Sequence, residues 1–277
     1  MLPLKGSQYL EIHKLFQISK KQGEKAMKKT LTILCLTMGI FLITAPCVQA
    51  HMVWISADNP SPETGESVYL KLGFGHDYPS NQVVHKGQLD NIYALDSKGG
   101  KSTPKKIFPG FYKFTPKTKG IYLLQAELKS GFVSATPDGH KLGSKKDHKD
   151  AKSCFRHHMN TATVIQTQGS PNQNIQNSNK DLRLLPLDNP SEIKVGNKIS
   201  FRVLFNGERI ENVKVLGTFK GSEKAWVQES TSNQEGIVRF KIDQDNPWLF
   251  QAKYTTPYKD KSICDKHTYK TTITITP

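Results

Sequence analysis

The sequence predicts an all-β protein: two immunoglobulin-like or prealbumin-like β-sandwich domains behind a signal peptide. Three observations carry that expectation. Past residue 50, short runs rich in Tyr, Phe, Val, Ile and Thr alternate with polar residues, the period of a half-buried strand. Gly, Pro and Asn-Gly punctuate those runs at turn-like intervals. No stretch beyond residue 50 sustains the apolar period of a helix.

The first 26 residues are polar and unlike a domain, and read as a non-native or disordered extension ahead of Met27. Residues 27–50 read as a signal peptide. Lys28 and Lys29 supply its positive start, and the apolar run 31–45 is shorter than the roughly 20 residues of a membrane span. Val48-Gln49-Ala50 has the small-x-small pattern of a cleavage site, so the exported chain is expected to begin His51-Met52-Val53-Trp54. Thr44-Ala45-Pro46 before Cys47 is a poor lipoprotein signal. The expected product is periplasmic, soluble, monomeric and without a membrane span.

The first sandwich is expected over 51–168, with strands at 52–56, 67–73, 91–95, 110–115, 120–127 and 161–167. The segment 130–156, dense in Lys, reads as a long loop. Residues 169–180 are Ser-, Asn- and Gln-rich with almost nothing apolar, and read as a linker. The second sandwich is expected over 181–277, with strands at 183–187, 198–205, 213–219, 224–229, 236–242, 248–254 and 268–276. Asn206-Gly207 between two apolar runs predicts a tight hairpin.

From His51 the chain keeps 32 of its 39 basic and 22 of its 24 acidic residues, a formal +10. Spread over strand edges, that charge serves solubility. No basic helix, RNP-like aromatic motif or Gly-rich phosphate loop points to nucleic acid or nucleotide. No GxSxG, HExxH or paired carboxylates point to hydrolytic catalysis. The expectation is a binding protein rather than an enzyme.

Cys154 and Cys264 remain after the leader. An even pair in an oxidising compartment reads first as a disulfide, closing a loop of about 110 residues, and second as two thiolate ligands.

The histidines carry the functional expectation. An N-terminal His51 would offer two neutral nitrogens, its α-amine and its ring Nδ1, to one metal ion. Both shed protons near neutral pH, and such donors suit Ni, Co or Cu far better than Mg or Ca. His76 follows a strand within Gly75-His76-Asp77-Tyr78-Pro79, at a strand lip beside His51, and Asp77 could ligate or orient a ring. Read alone, His76 is an ordinary loop histidine. A secondary set comprises His157, His158 and His267, which a 154–264 bridge would bring together. Neighbours on a strand face opposite sides, so His157 and His158 are not expected in one site.

The segments "HMVWI", "GFGHDYP", "YKFTPKTKGIYLLQAELKSGF", "LRLLPLDNPSEIKVGNKISFRVLFNGERIENVKV" and "PWLFQAKY" resemble a periplasmic family associated with nickel or cobalt uptake, the NikM-like family, whose function is largely unknown. The likeness covers residues 50–277. It implies a divalent transition metal as cargo, Ni or Co with Cu as the alternative, and a membrane metal transporter as partner. It places His51, His76, Cys154 and Cys264 on family positions. The N-terminal histidine also resembles those of CopC-like copper carriers and of histidine-brace copper monooxygenases. A structural or adhesive protein without metal is the third reading, which tandem sandwiches alone would suit.

Overall fold

The computed structural model describes residues 51–80, 82–85, 87–169, 180–189 and 192–277, and they form eighteen strands and no α-helix. In chain order these are β1 Met52–Ala57, β2 Val68–Gly75, β3 Leu89–Asp96, β4 Lys101–Ser102, β5 Lys105–Phe108, β6 Phe111–Phe114, β7 Ile121–Leu128, β8 Gly131–Thr136, β9 Gly139–Leu142 and β10 Ser153–Gln166. There follow β11 Leu182–Pro186, β12 Lys198–Phe205, β13 Glu208–Arg209, β14 Lys214–Phe219, β15 Gln228–Thr231, β16 Ile237–Lys241, β17 Trp248–Pro257 and β18 Lys266–Ile275. Among the described residues no helix is long and apolar enough to cross a membrane. The all-β prediction is the observed class.

The strands build three sheets. One has the order β1-β2-β6-β5, and another joins β11, β12 and β13 with β16 on the other edge of β12. Between them lies a ten-stranded sheet whose path is β15-β14-β17-β18-β10-β7-β3-β4, with β8 and β9 branching from β10. Its β10–β18 pairing is parallel, Phe155 opposite Lys266 through Thr163 opposite Thr274. Alternation along these central strands serves two cores. Tyr122, Leu124, Ala126 and Ile165 pack with Val53, Ile55, Leu70 and Leu72 of the first outer sheet. Ile121, Leu123, Ala162, Val164, Ile273 and Ile275 pack with Leu182, Phe201 and Phe240 of the other. Trp54, Trp248, Phe201 and Phe250 are fully buried, each contributing roughly 1.5–3 kcal/mol by the area it withdraws from water.

The ranges 51–168 and 181–277 thus each supply an outer sheet and most of one core, and they share the central sheet. The extension 1–26, the signal peptide 27–50 and positions 170–179 of the linker lie outside the described residues.

Two local expectations need correction. The segment 130–156 opens with a hairpin, β8 with β9, and closes with the start of β10; only residues 143–152 between them, with Lys145, Lys146, Lys149 and Lys152, form the expected loop. Pro137-Asp138 form its turn, β9 opens on Gly139 at φ +110°, and the exposed β9 carries the lysine that suits an open edge. The strand expected at 224–229 lies further on, at Gln228–Thr231, where it pairs β14. The hairpin at Asn206-Gly207 forms as predicted: both residues take positive φ, 53° and 86°, and Phe205 faces Glu208 across the turn. Cys154 and Cys264 are joined by a disulfide.

Candidate metal site at His51 and His76

β1 and β2 pair antiparallel with Met52 opposite Gly75 and Val53 opposite Phe74. One further step in that register sets His51 opposite His76. Their ring centroids are 3.9 Å apart at an interplanar angle of 43°. His51 also stacks on Phe74, at 5.0 Å and 11°. Both histidines are exposed at the sheet's end.

Packing on one face of β1 fixes this corner. Trp54 sits opposite Gly73, and its indole covers that glycine so closely that a Cβ there would lie 2.2 Å from the ring. Trp54 and Met52 form a small core with Leu249, flanked by Tyr78 and Trp226. Tyr78 meets Trp54 edge-on at 5.6 Å. The segment bearing His76 and Asp77 is therefore anchored just beyond them. Ser80 Oγ donates to the Phe74 carbonyl at 3.3 Å, and Lys71 Nζ to the Ser80 carbonyl at 3.2 Å.

The outer edge of β1 is held by side chains instead of a strand. Lys270 Nζ donates to the His51 carbonyl at 3.2 Å, Thr272 Oγ1 to the Val53 carbonyl, and Thr274 Oγ1 to the Ile55 carbonyl. Alternate residues of β18 share a face, so the three donors reach the three carbonyls at one constant spacing. Sequence reasoning missed Lys270. The period-two pattern Lys270-x-Thr272-x-Thr274 on a strand with a buried face was its signal.

The surroundings disfavour the charged forms of His51 and Lys270. Desolvation by its neighbours, then the charges of His76 and Lys270, lower the pKa of His51 below the ordinary imidazole value. Burial, followed by Lys253, lowers Lys270 to about 8.

The secondary set divides as strand geometry requires. His158 Nε2 lies 3.0 Å from His267 Nδ1. His157 faces the other side of β10 and does not join them; its Nδ1 is buried with no hydrogen-bond partner among the described residues. Asp77 is exposed beside His76, and among the described residues no three His, Cys, Asp or Glu side chains gather closely enough to hold an ion. Neither histidine pair therefore reaches three side-chain donors. Two neutral imidazoles nonetheless match a borderline transition ion, and at His51 the amine freed by cleavage would be a third nitrogen.

Residues 48–256 match the family model DUF4198, a domain of unknown function. The chain belongs to that family. The DUF4198 match takes in His51, His76, Cys154, His157 and His158 and ends within β17, ahead of Cys264, His267 and Lys270. No curated protein matches the sequence. Similar solved structures include the D0-D1 domain of intimin, 10% identical over 82% of this chain and 100% of that one, with a TM-score of 0.21. Murine CEACAM1b is 9% identical over 82% and 98%, also with a TM-score of 0.21. The adhesin InvE of Yersinia pseudotuberculosis is 12% identical over 80% and 58%, with a TM-score of 0.20.

Proposed function

We propose that this DUF4198 protein is exported to the periplasm, cleaved before His51, and binds one divalent transition ion through the His51 amine, the His51 imidazole and His76. The observation that carries this reading is the His51–His76 ring contact of 3.9 Å, which the β1–β2 register sets up. Nickel or cobalt, handed to a membrane transporter, is the cargo that the NikM-like resemblance supports. Copper is the alternative cargo, in a carrier or a histidine-brace enzyme. Asp77 stands beside His76 to orient its ring. A disulfide between Cys154 and Cys264 suits an oxidising compartment.

Ligating imidazoles at metal–nitrogen distances of about 2.0–2.1 Å, set at right angles, hold their centroids roughly 4.5 Å apart. A modest opening of these two exposed rings reaches that separation. Cu(II) should bind tightest in vitro whichever ion is carried, so preference in vitro does not name the cargo.

The test compares protein with the authentic His51 amine, protein with one residue added before it, and His51→Ala. Each change should weaken Ni(II) binding at least tenfold, about 1.4 kcal/mol. Binding should fade as pH drops through roughly 6–7, because protons compete for the nitrogens. An extended protein that binds as tightly as the authentic one overturns the reading.

A further inference from the structure

A second pair of convergent nitrogens stands at the end of the molecule that the disulfide closes. β10 and β18 run parallel there, with Arg156 opposite His267 and His158 opposite Tyr269. The Cys154–Cys264 bridge joins the segments just upstream, their Cα atoms 4.9 Å apart. His158 Nε2 and His267 Nδ1 face each other at 3.0 Å. Each ring is backed by a tyrosine. His158 stacks on Tyr269 at 4.6 Å and 19°, and His267 lies against Tyr258 at 4.7 Å and 32°. Both histidines remain partly open to solvent.

That separation is a hydrogen-bond length, and it also matches one ligation geometry. Two nitrogens about 2.0–2.1 Å from one ion stand roughly 2.9 Å apart at a right angle and about 3.4 Å apart at a tetrahedral angle. The observed 3.0 Å fits the right-angled edge of a square-planar or octahedral site. Tetragonal nitrogen sites favour Cu(II) and Ni(II).

We propose that His158 and His267 form a second transition-metal site, the cis edge of a tetragonal Cu(II)- or Ni(II)-type ion whose other positions are taken by water. Without metal the pair shares one N–H in a hydrogen bond. On ligation that proton moves to the other nitrogen of the same ring, so the neutral pair needs to release none. This site stands apart from the N-terminal one and does not depend on it.

The experiment uses oxidised protein carrying His51→Ala and His76→Ala, titrated with Cu(II). One equivalent should still bind, with electron-paramagnetic couplings to two ring nitrogens. Adding His267→Ala or His158→Gln should abolish it. In the same double variant, substoichiometric Cu(II) should broaden the NMR signals of Tyr258 and Tyr269 before those of His140 and His148. Either of two results overturns the proposal: no residual equivalent in the double variant, or residual binding that survives loss of both His158 and His267.

Discussion

The two histidine pairs are held by opposite means. At His51–His76 the backbone is pinned, by Trp54 over Gly73 on one face and by Lys270 at the outer edge, while the rings stay exposed, resting on each other and, at His51, on Phe74. At His158–His267 the rings themselves are clamped between tyrosines, and the two strands are joined by a covalent bridge. The first arrangement fixes where donors start and leaves their aim adjustable. The second fixes the aim. Perturbations should therefore sort by region.

The largest separation should come from Cys154→Ser with Cys264→Ser. Loss of a bridge spanning 110 residues should cost about 2–5 kcal/mol of unfolding free energy, read by denaturant titration. The His158–His267 hydrogen bond should loosen in histidine NMR spectra while Ni(II) affinity at His51 holds. Equal damage to both pairs would break the comparison.

Gly73→Ala should come next. The new Cβ meets the buried Trp54 indole, and displacing it should cost about 1–3 kcal/mol, as overpacking does. Ni(II) binding should weaken, and the disulfide end should keep its spectrum.

A smaller effect should follow pH. Burial, then His267, Arg156 and His157, depress His158 to about 4. The unfolded chain then binds more protons than the fold between that value and 6.5, so stability should fall as pH drops through the window. His158→Gln should flatten this part of the profile; an unchanged slope would assign it elsewhere.

Smallest of all should be Lys270→Met, changing stability at neutral pH by about 1 kcal/mol while loosening His51 and lowering Ni(II) affinity a few-fold. Lys270 is depressed to about 8 in the fold, below its ordinary 10.4. Wild-type stability should therefore rise with pH between those values, and the variant should lose that rise.

Much of the fold was legible because it is local. β1, β2, β7, β12 and β17 begin and end within a few residues of the sequence expectations, since alternation reports each strand's own buried face. The hairpin β8–β9 was hidden because it runs into the lysine-dense loop 143–152, although Pro137-Asp138-Gly139 announced the turn. The parallel pairing of β10 with β18 was not legible at all. It joins strands more than a hundred residues apart, and no periodicity encodes a partner. The same divide runs through the sites. His51 and His76 are register partners across neighbouring strands, so the sequence could suggest them. The bridge suggested His158 and His267, whereas Lys270 required the three-dimensional ladder to be seen.

That ladder ties the first strand of the described chain to its last. The contacts from Lys270, Thr272 and Thr274 each span 219 residues, among the most non-local in the molecule and so among the costliest to close during folding. In chain order His51, His76 and the β1–β2 ladder come early, whereas the donors that cap the outer edge of β1 arrive only with the last strand. A polypeptide ending before β18 would therefore hold both histidines yet leave the carbonyls of His51, Val53 and Ile55 without these three donors.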